Sequence, residues 1–423
     1  MNKTNKEKFR TLYRAMLLAI FIGCFSSISN AQTDLNNYLK TAAENNAGLK
    51  SKFSAYNSSL EKIPQVGSLP DLSVSFGYFI SPIETRVGPQ QAKISAAQML
   101  PWFGTLNSKK DVYIEQAKMK YEEFEETKSK LFYDVKSVYF DIYFIKKGIE
   151  ITKENISILQ TLQQLALIKV ETGKASLVDE MRVEMEINEL ENQLAYLIDS
   201  KYVLEIEFHN LLNDSSDSEI LMPDELWEEK IVKSKKEILD SILIQNHSLK
   251  QIESKVNGFA NEEFAAKKVG SPSISIGFEY AFIGKSSNPA MGSESGRDAF
   301  MPMIGVSIPL YRKKYKSLAK EAVLNMEASQ YEKTEKRNEL TSMFEKGFRD
   351  FSDAKRRMEL SKKQLKLAEK SLRILLTAYS SDGRNFEEVL RMERKSLKYA
   401  LELDKARADR NAAAAFMNYL TGK

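Results

Sequence analysis

The spacing of hydrophobic residues changes along this chain, and each change predicts an element. Leu72, Val74, Phe76 and Tyr78 alternate with Ser73, Ser75 and Gly77. Ile274, Ile276, Phe278 and Tyr280 alternate in the same way with Ser273, Ser275, Gly277 and Glu279. A period of two belongs to a strand with one apolar face and one small polar face. Returning strands are predicted at 92–100 and 301–308, where Ile304, Val306 and Ile308 alternate with Gly305 and Ser307. The connections 80–91 and 283–299, rich in Pro, Gly, Ser and Asn, read as exposed loops. Beyond each hairpin the spacing becomes helical. Leu131, Val135, Val138, Ile142, Ile145, Ile149, Ile156 and Leu159 follow steps of three and four, the seam of a coiled coil. A second, more charged tract carries Leu360, Leu365, Leu367, Leu372 and Leu375.

Proline placement bounds the helices. All ten prolines fall at 64, 70, 82, 89, 101, 223, 272, 289, 302 and 309, leaving 102–222 and 310–423 free of the residue that breaks helix interiors. The predicted helices are 34–62, 104–172 and 175–212, then 236–268, 313–380 and 386–421. At 1.5 Å per residue each of the two long helices reaches on the order of 100 Å. In each half, two short helices laid end to end match the long one in length. The fold class is therefore mainly α with a small β part, built on long-helix hairpins.

The order of these elements is written twice. Leu69 to Tyr78 returns as Ser271 to Tyr280, Leu100-Pro101 as Ile308-Pro309, Glu171-Thr172-Gly173 as Ser381-Asp382-Gly383, and Leu211-Leu212-Asn213 as Tyr419-Leu420-Thr421. The chain divides into a first repeat, 32–235, with a hairpin at about 71–100 and a polar insertion at 214–235. A second repeat, 236–423, has its hairpin at about 273–308. The period far exceeds that of a solenoid.

Residues 1–31 read as a secretory leader. Lys3, Lys6, Lys8, Arg10 and Arg14 precede an apolar run, Ala15 to Phe25, and Ser29-Asn30-Ala31 offers small residues for cleavage. Phe21-Ile22-Gly23-Cys24 leaves open a lipid-anchored variant. The whole chain has 62 Lys and Arg against 58 Asp and Glu, and removing the leader leaves 57 of each. A neutral exported chain gives no reason to expect nucleic acid. Cys24 is the single cysteine, so disulfides and thiol chemistry are not expected. No stretch outside the leader approaches the ~20 apolar residues of a transmembrane helix, so entry into a membrane would have to be by strands.

Catalytic constellations are missing from the sequence. There are two histidines, His209 and His247, no phosphate-cradling glycine loop and no His-Glu-x-x-His pattern. The chain reads as a non-enzyme with no cofactor and no metal. Glu122 and Glu123 are read as part of a solvated face, and Met291, Met301 and Met303 as fillers of apolar positions near the second hairpin.

Four strands leave two open edges, and a bilayer tolerates no unsatisfied backbone. Three copies of the chain would close twelve strands around a polar lumen. Together these features resemble the TolC-type outer-membrane efflux proteins over essentially the whole length after the leader. The resemblance rests on the duplicated strand-strand-long-helix order and on the Leu100-Pro101 and Ile308-Pro309 exits. It also rests on Gly173 followed by Asp179, and on Gly383 followed by Glu388-Val389-Leu390. The second tip departs from the family in being one residue shorter and in carrying Glu388 where Asp is usual.

The resemblance implies a homotrimer in outer-membrane lipid, with a 12-stranded β-barrel continuing into a periplasmic α-helical tunnel. It implies a periplasmic adaptor (membrane fusion) protein and an inner-membrane pump as partners. The function it implies is a passive exit duct of a tripartite system. Ser73, Ser75, Ser273 and Ser275 are expected to face the lumen. Asp179 and Glu388 are the candidate gate, and Gly173, Lys174, Gly383, Arg384 and Asn385 the candidate adaptor contact. An exported trimeric coiled-coil scaffold or stalk without a pore is the competing reading.

Overall fold

The computed structural model describes residues 34–214, 218–229, 231, 233–382 and 386–423. The leader with Cys24, and the tip residues Gly383, Arg384 and Asn385, lie outside them. The elements are α1 (34–45), α2 (Ala47–Leu60), α3 (Lys62–Gly67), β1 (Ser73–Thr85), β2 (Gly88–Leu100), α4 (Thr105–Glu171) and α5 (Leu177–Leu212). Then follow α6 (Lys235–Gln245), α7 (His247–Val269), β3 (Ser273–Ile283), a 3-10 segment kinked at Gly292 (Pro289–Glu294), β4 (Ala299–Ser307), α8 (Arg312–Asp382) and α9 (Phe386–Leu420). The order helices, hairpin, long helix, return helix occurs twice.

Two expectations change. The first hairpin turns within Arg86-Val87, so most of 80–91 is strand and not loop. Pro82 does not prevent this, because β1 is an edge strand and its register with β2 slips between Tyr78 and Ile83, where a ladder donor is dispensable. The first short helix of each half is also interrupted, at Asn46 and again at Glu61 in one and at Asn246 in the other. The Asn46 amide donates to Leu211 O at 3.0 Å and its Oδ1 accepts from Leu49 N at 3.0 Å, while the Asn246 amide donates to Leu420 O at 3.0 Å. In each half an asparagine therefore satisfies a terminal carbonyl of the return helix.

The chain forms two compact units that cut across the sequence halves. One comprises the described residues up to Ser51 with Glu125–Asn246 and Arg337–Lys423, and the other Lys52–Phe124 with His247–Lys336. The first unit is helical. Six of the eight seam positions foreseen on α4 are buried: Leu131, Val135, Val138, Ile142, Ile156 and Leu159. Tyr139, Phe140 and Tyr143 are buried as well, so α4 packs on a wider face than a two-stranded seam requires.

Of the leucines expected on the α8 seam, Leu365, Leu372 and Leu375 are half-buried on it, while Leu360 and Leu367 are exposed. Leu340, Phe344, Phe351, Ala354, Ser361, Ala368 and Tyr379 are its buried positions. They sit on one uninterrupted alternation of four and three, in which small residues let neighbouring helices approach closely. The insertion is latched to this unit. Tyr38 Oη accepts from Leu221 N at 3.0 Å, Asn411 donates to Trp227 O at 2.8 Å, and Arg410 pairs with Glu228 at 2.8 Å.

The second unit carries the sheet, with strands in the order β1-β2-β3-β4, all antiparallel. Its helical part is tied by His247 to Glu122 at 2.7 Å and by Lys52 to Glu123 at 2.5 Å. Glu122 and Glu123 are thus engaged with side chains of neighbouring helices, unlike the solvated face expected of them. Hydrogen bonds from Lys120 and Lys52 hold the Glu123 carboxyl below the usual carboxylate range.

Candidate pore face and helical tip

Register decides which side chains share a face of the sheet. Val74 pairs with Ala96, Phe76 with Ile94 and Tyr78 with Ala92; these continue to Phe278, Tyr280 and Phe282 on β3. Ile276 pairs with Ile304, and Ile274 with Val306. The result is one continuous apolar face across all four strands. It is bare: Phe76 and Tyr78 are each 70 % exposed, Ile304 79 % and Ile80 93 %. Patches of this extent on a soluble surface mark a contact with something apolar.

The opposite face is small and polar. It carries Ser73, Ser75, Ser273 and Ser275, with Ser95, Ser307, Gly77, Gly277 and Gly305 in the adjoining positions. The hydroxyls of Ser75 and Ser95 lie 2.7 Å apart across β1 and β2. A Cβ added at Gly277 would stand 2.6 Å from Ala96 O, so glycine is what lets β3 lie against β2 there. All four predicted serines therefore share one face. Met301 and Met303 lie on it too, paired with Glu279 and Gly277, which corrects their reading as fillers of apolar positions. Lys93 reaches Glu279 at 3.2 Å on the same face, a pairing between residues 186 positions apart that no local pattern announces.

The other candidate residues lie in the helical unit. Helix α4 stops in a Schellman turn: Lys174 N donates to Lys169 O at 2.8 Å and Gly173 N to Val170 O at 3.0 Å. Gly173 takes φ +70°, the left-handed conformation such a stop commonly uses. Ser176 caps α5, accepting from Val178 N at 3.2 Å, which places Asp179 in the first turn, where the helix dipole favours an acid. Glu388 occupies the first turn of α9.

Both acids have a basic partner one turn on. Asp179 lies 3.6 Å from Arg182, which is also 3.6 Å from Glu387, and Glu388 pairs with Arg391. The acid-x-x-Arg spacing is present in the sequence at both tips. Around these pairs, Tyr379 is fully buried, its ring centroid 4.7 Å from that of Phe386, with no hydrogen-bond partner for its hydroxyl among the described residues. Burial pushes the pKa of this hydroxyl up, and the charge of Asp179 adds to the shift. Lys169 donates to Ser380 O at 2.8 Å and lies over the Tyr379 ring, linking the ends of the two long helices.

One polar site went unforeseen. Glu393, 3 % exposed, accepts from Asn155 Nδ2 at 2.7 Å within an otherwise apolar helical core, and burial pushes its carboxyl above the ordinary range. Its spacing from Leu390 and Leu397 (steps of three and four) was the available signal. Among the described residues, no group of three or more His, Cys, Asp and Glu is placed to hold a metal ion, and no helix is long and apolar enough to cross a membrane.

Comparison with known proteins gives a result in structure and none in sequence. No protein-family model matches the chain, and no curated protein sequence does. Solved structures do match. The outer-membrane protein VceC of Vibrio cholerae is 12 % identical with a TM-score of 0.77, covering 93 % of this chain and 98 % of its own. The outer-membrane channel OprN is 12 % identical with a TM-score of 0.77, covering 92 % and 90 %. The open state of the MtrE outer-membrane channel of Neisseria gonorrhoeae is 16 % identical with a TM-score of 0.74, covering 92 % and 88 %. At these identities the shared property is the fold: this chain has the fold of these outer-membrane channel proteins over nearly its full length.

Proposed function

We propose that this chain is an outer-membrane exit duct that conducts substrates passively. Three copies join β4 of one to β1 of the next and close a twelve-stranded barrel, leaving no backbone edge in the bilayer. The observation that carries the reading is the four-stranded sheet itself, with two open edges, a bare apolar face and a small polar face. Its strands of 13, 13, 11 and 9 residues have the length a tilted strand needs to cross a hydrocarbon core, which is ~9–11 residues. The apolar face meets lipid, and Ser73, Ser75, Ser273 and Ser275 line the lumen. The long helices continue into the periplasm as a tunnel.

The duct has no chemistry of its own to drive transport, so a periplasmic adaptor and an inner-membrane pump supply it. Gly173 and Lys174, together with Gly383, Arg384 and Asn385, dock the adaptor. Asp179 and Glu388 guard the periplasmic end, where threefold symmetry turns each acid and its arginine into a ring of three pairs.

The test is the assembly and conductance of the purified protein. A detergent-solubilised trimer recovered from outer-membrane extracts, conducting in planar bilayers, is the expected result. A soluble trimer without conductance would establish the stalk instead. For the tip, Asp179→Asn with Glu388→Gln should raise resting conductance and change selectivity. Unchanged conductance would leave these acids as helix-dipole partners only.

A further inference from the structure

We infer that Lys93 and Glu279 set the ionic selectivity of the strand-built pore, as a charge-balanced pair repeated three times at one level of the barrel. The inference rests on the barrel reading above and names a determinant within it. Six paired rows run across the sheet, from Ser73 with Ala97, Gly277 and Met303 to Tyr78 with Ala92 and Phe282. Within those rows Lys93 and Glu279 are the only charged residues among those described, and both stand on the small polar face. Their charged atoms are 3.2 Å apart, and the side chains remain 44 % and 23 % exposed, so the pair is open to whatever passes. Lys93 stands opposite Gly77 in the register, and its Cγ lies 3.5 Å from where a Cβ of that glycine would be, so its stem folds over a residue with no side chain.

Duplication explains why the pair occurs at this seam. The repeat that aligns Tyr78 with Tyr280 puts Gly77 opposite Glu279 in sequence, and the one that aligns Pro101 with Pro309 puts Lys93 opposite Met301. At the internal seam, β2 with β3, Lys93 therefore meets Glu279. At the equivalent seam between copies, β4 with β1, the corresponding residues are Met301 and Gly77, which carry no charge. Three neutral seams alternate with three charged ones. The lumen at this level carries six formal charges that cancel in pairs, and removing one member leaves a ring of three like charges.

The experiment uses the full-length protein in planar bilayers under a salt gradient centred on about 0.01 M, where screening extends over ~30 Å and fixed charge is felt across a lumen. Lys93→Gln should raise the cation-to-anion permeability ratio about threefold, and Glu279→Gln should lower it by a similar factor. The double substitution should return the reversal potential to the wild-type value. To separate pore effects from assembly, Glu279→Cys is modified after insertion, against wild type treated alike. A sulfonate-bearing thiol reagent should restore the wild-type potential, and an ammonium-bearing one should drive it further towards anions. Conduction with a selectivity that neither single substitution nor either reagent moves overturns this assignment and leaves the barrel standing. A wild-type protein recovered as a soluble product that does not insert overturns the barrel reading, and the assignment with it.

Discussion

Aromatic side chains meet opposite fates in the sheet and in the helical core. Phe386, Tyr379 and Phe344 are 2 % exposed or less, packed between helices, while Phe76, Tyr78 and Phe300 stand between 64 % and 70 % exposed on the apolar face of the sheet. Residues of one chemistry would not be left in water on one element and hidden on another without a reason. The helical unit builds a packed core of its own, although Tyr196, Tyr202, Val203 and Ile374 on its surface are each more than 60 % exposed. The sheet builds no such core: its apolar face is bare, and its backbone ladder ends at two open edges. A single chain therefore hides its aromatic residues in one part and leaves them uncovered in the other.

The sharpest way to break this comparison is a charge on each face of the sheet. Ile276→Arg should abolish recovery from the outer-membrane fraction, since an arginine facing lipid at mid-depth costs about 2–4 kcal/mol in each of three copies. Ser275→Arg, on the small polar face, should leave membrane assembly nearly intact. Equal tolerance at the two positions, read by membrane fractionation, would remove the distinction between the faces.

The same contrast can be read in stability. Phe386→Ala, in the helical core with Tyr379, Val389 and Leu390, should cost about 3–5 kcal/mol in denaturant unfolding of the detergent-solubilised protein. Phe76→Ala should cost less than about 1 kcal/mol there, because its ring loses only contact with detergent. Comparable losses would mean that the apolar face is already covered within the chain.

Smaller effects belong to the polar residues that organise the helices. Asn246→Ala, at a residue 1 % exposed, should cost about 1–3 kcal/mol by leaving Leu420 O without its amide donor. Asn46→Ala should cost less, since its site is only partly buried.

The smallest effect concerns pH. Glu393 is held neutral more readily in the folded state than in the unfolded chain, so its contribution has the sign of a raised acid. Its ionisation should cost nothing below the ordinary carboxylate range. The penalty should grow as pH climbs from there to the higher folded value, and stay constant above it. Glu393→Gln should flatten the stability profile in that window, as measured by thermal unfolding across pH 4 to 8, a range set on the ordinary carboxylate value of about 4.3.

Much of this was legible in sequence, because strands and long helices advertise themselves by period. The two faces of the hairpins followed from alternation alone, and the long helices from the absence of proline. Some signals were present and misread. The α8 seam runs in strict steps of four and three through Gly347, Ala354, Ser361 and Ala368, small residues that attract less notice than Leu360 and Leu367. The paired breaks at Asn46 and Asn246 recur at the same place in each half, followed three residues later by Leu49 and Leu249.

What the sequence by itself determined is local: the period of each element, the duplication, and the chemistry of each strand face. These depend on residues a few positions apart, and periodicity records them directly. What only the tertiary structure decided is pairing at a distance. It set the register that carries the first hairpin through Pro82 to a turn at Arg86-Val87. It placed β2 against β3, so that Lys93 found Glu279 while their counterparts, Met301 and Gly77, kept the equivalent edges free of charge. It gave Lys169 its carbonyl on α8. Such contacts depend on how separate elements are brought side by side, and no spacing along one strand or helix encodes that.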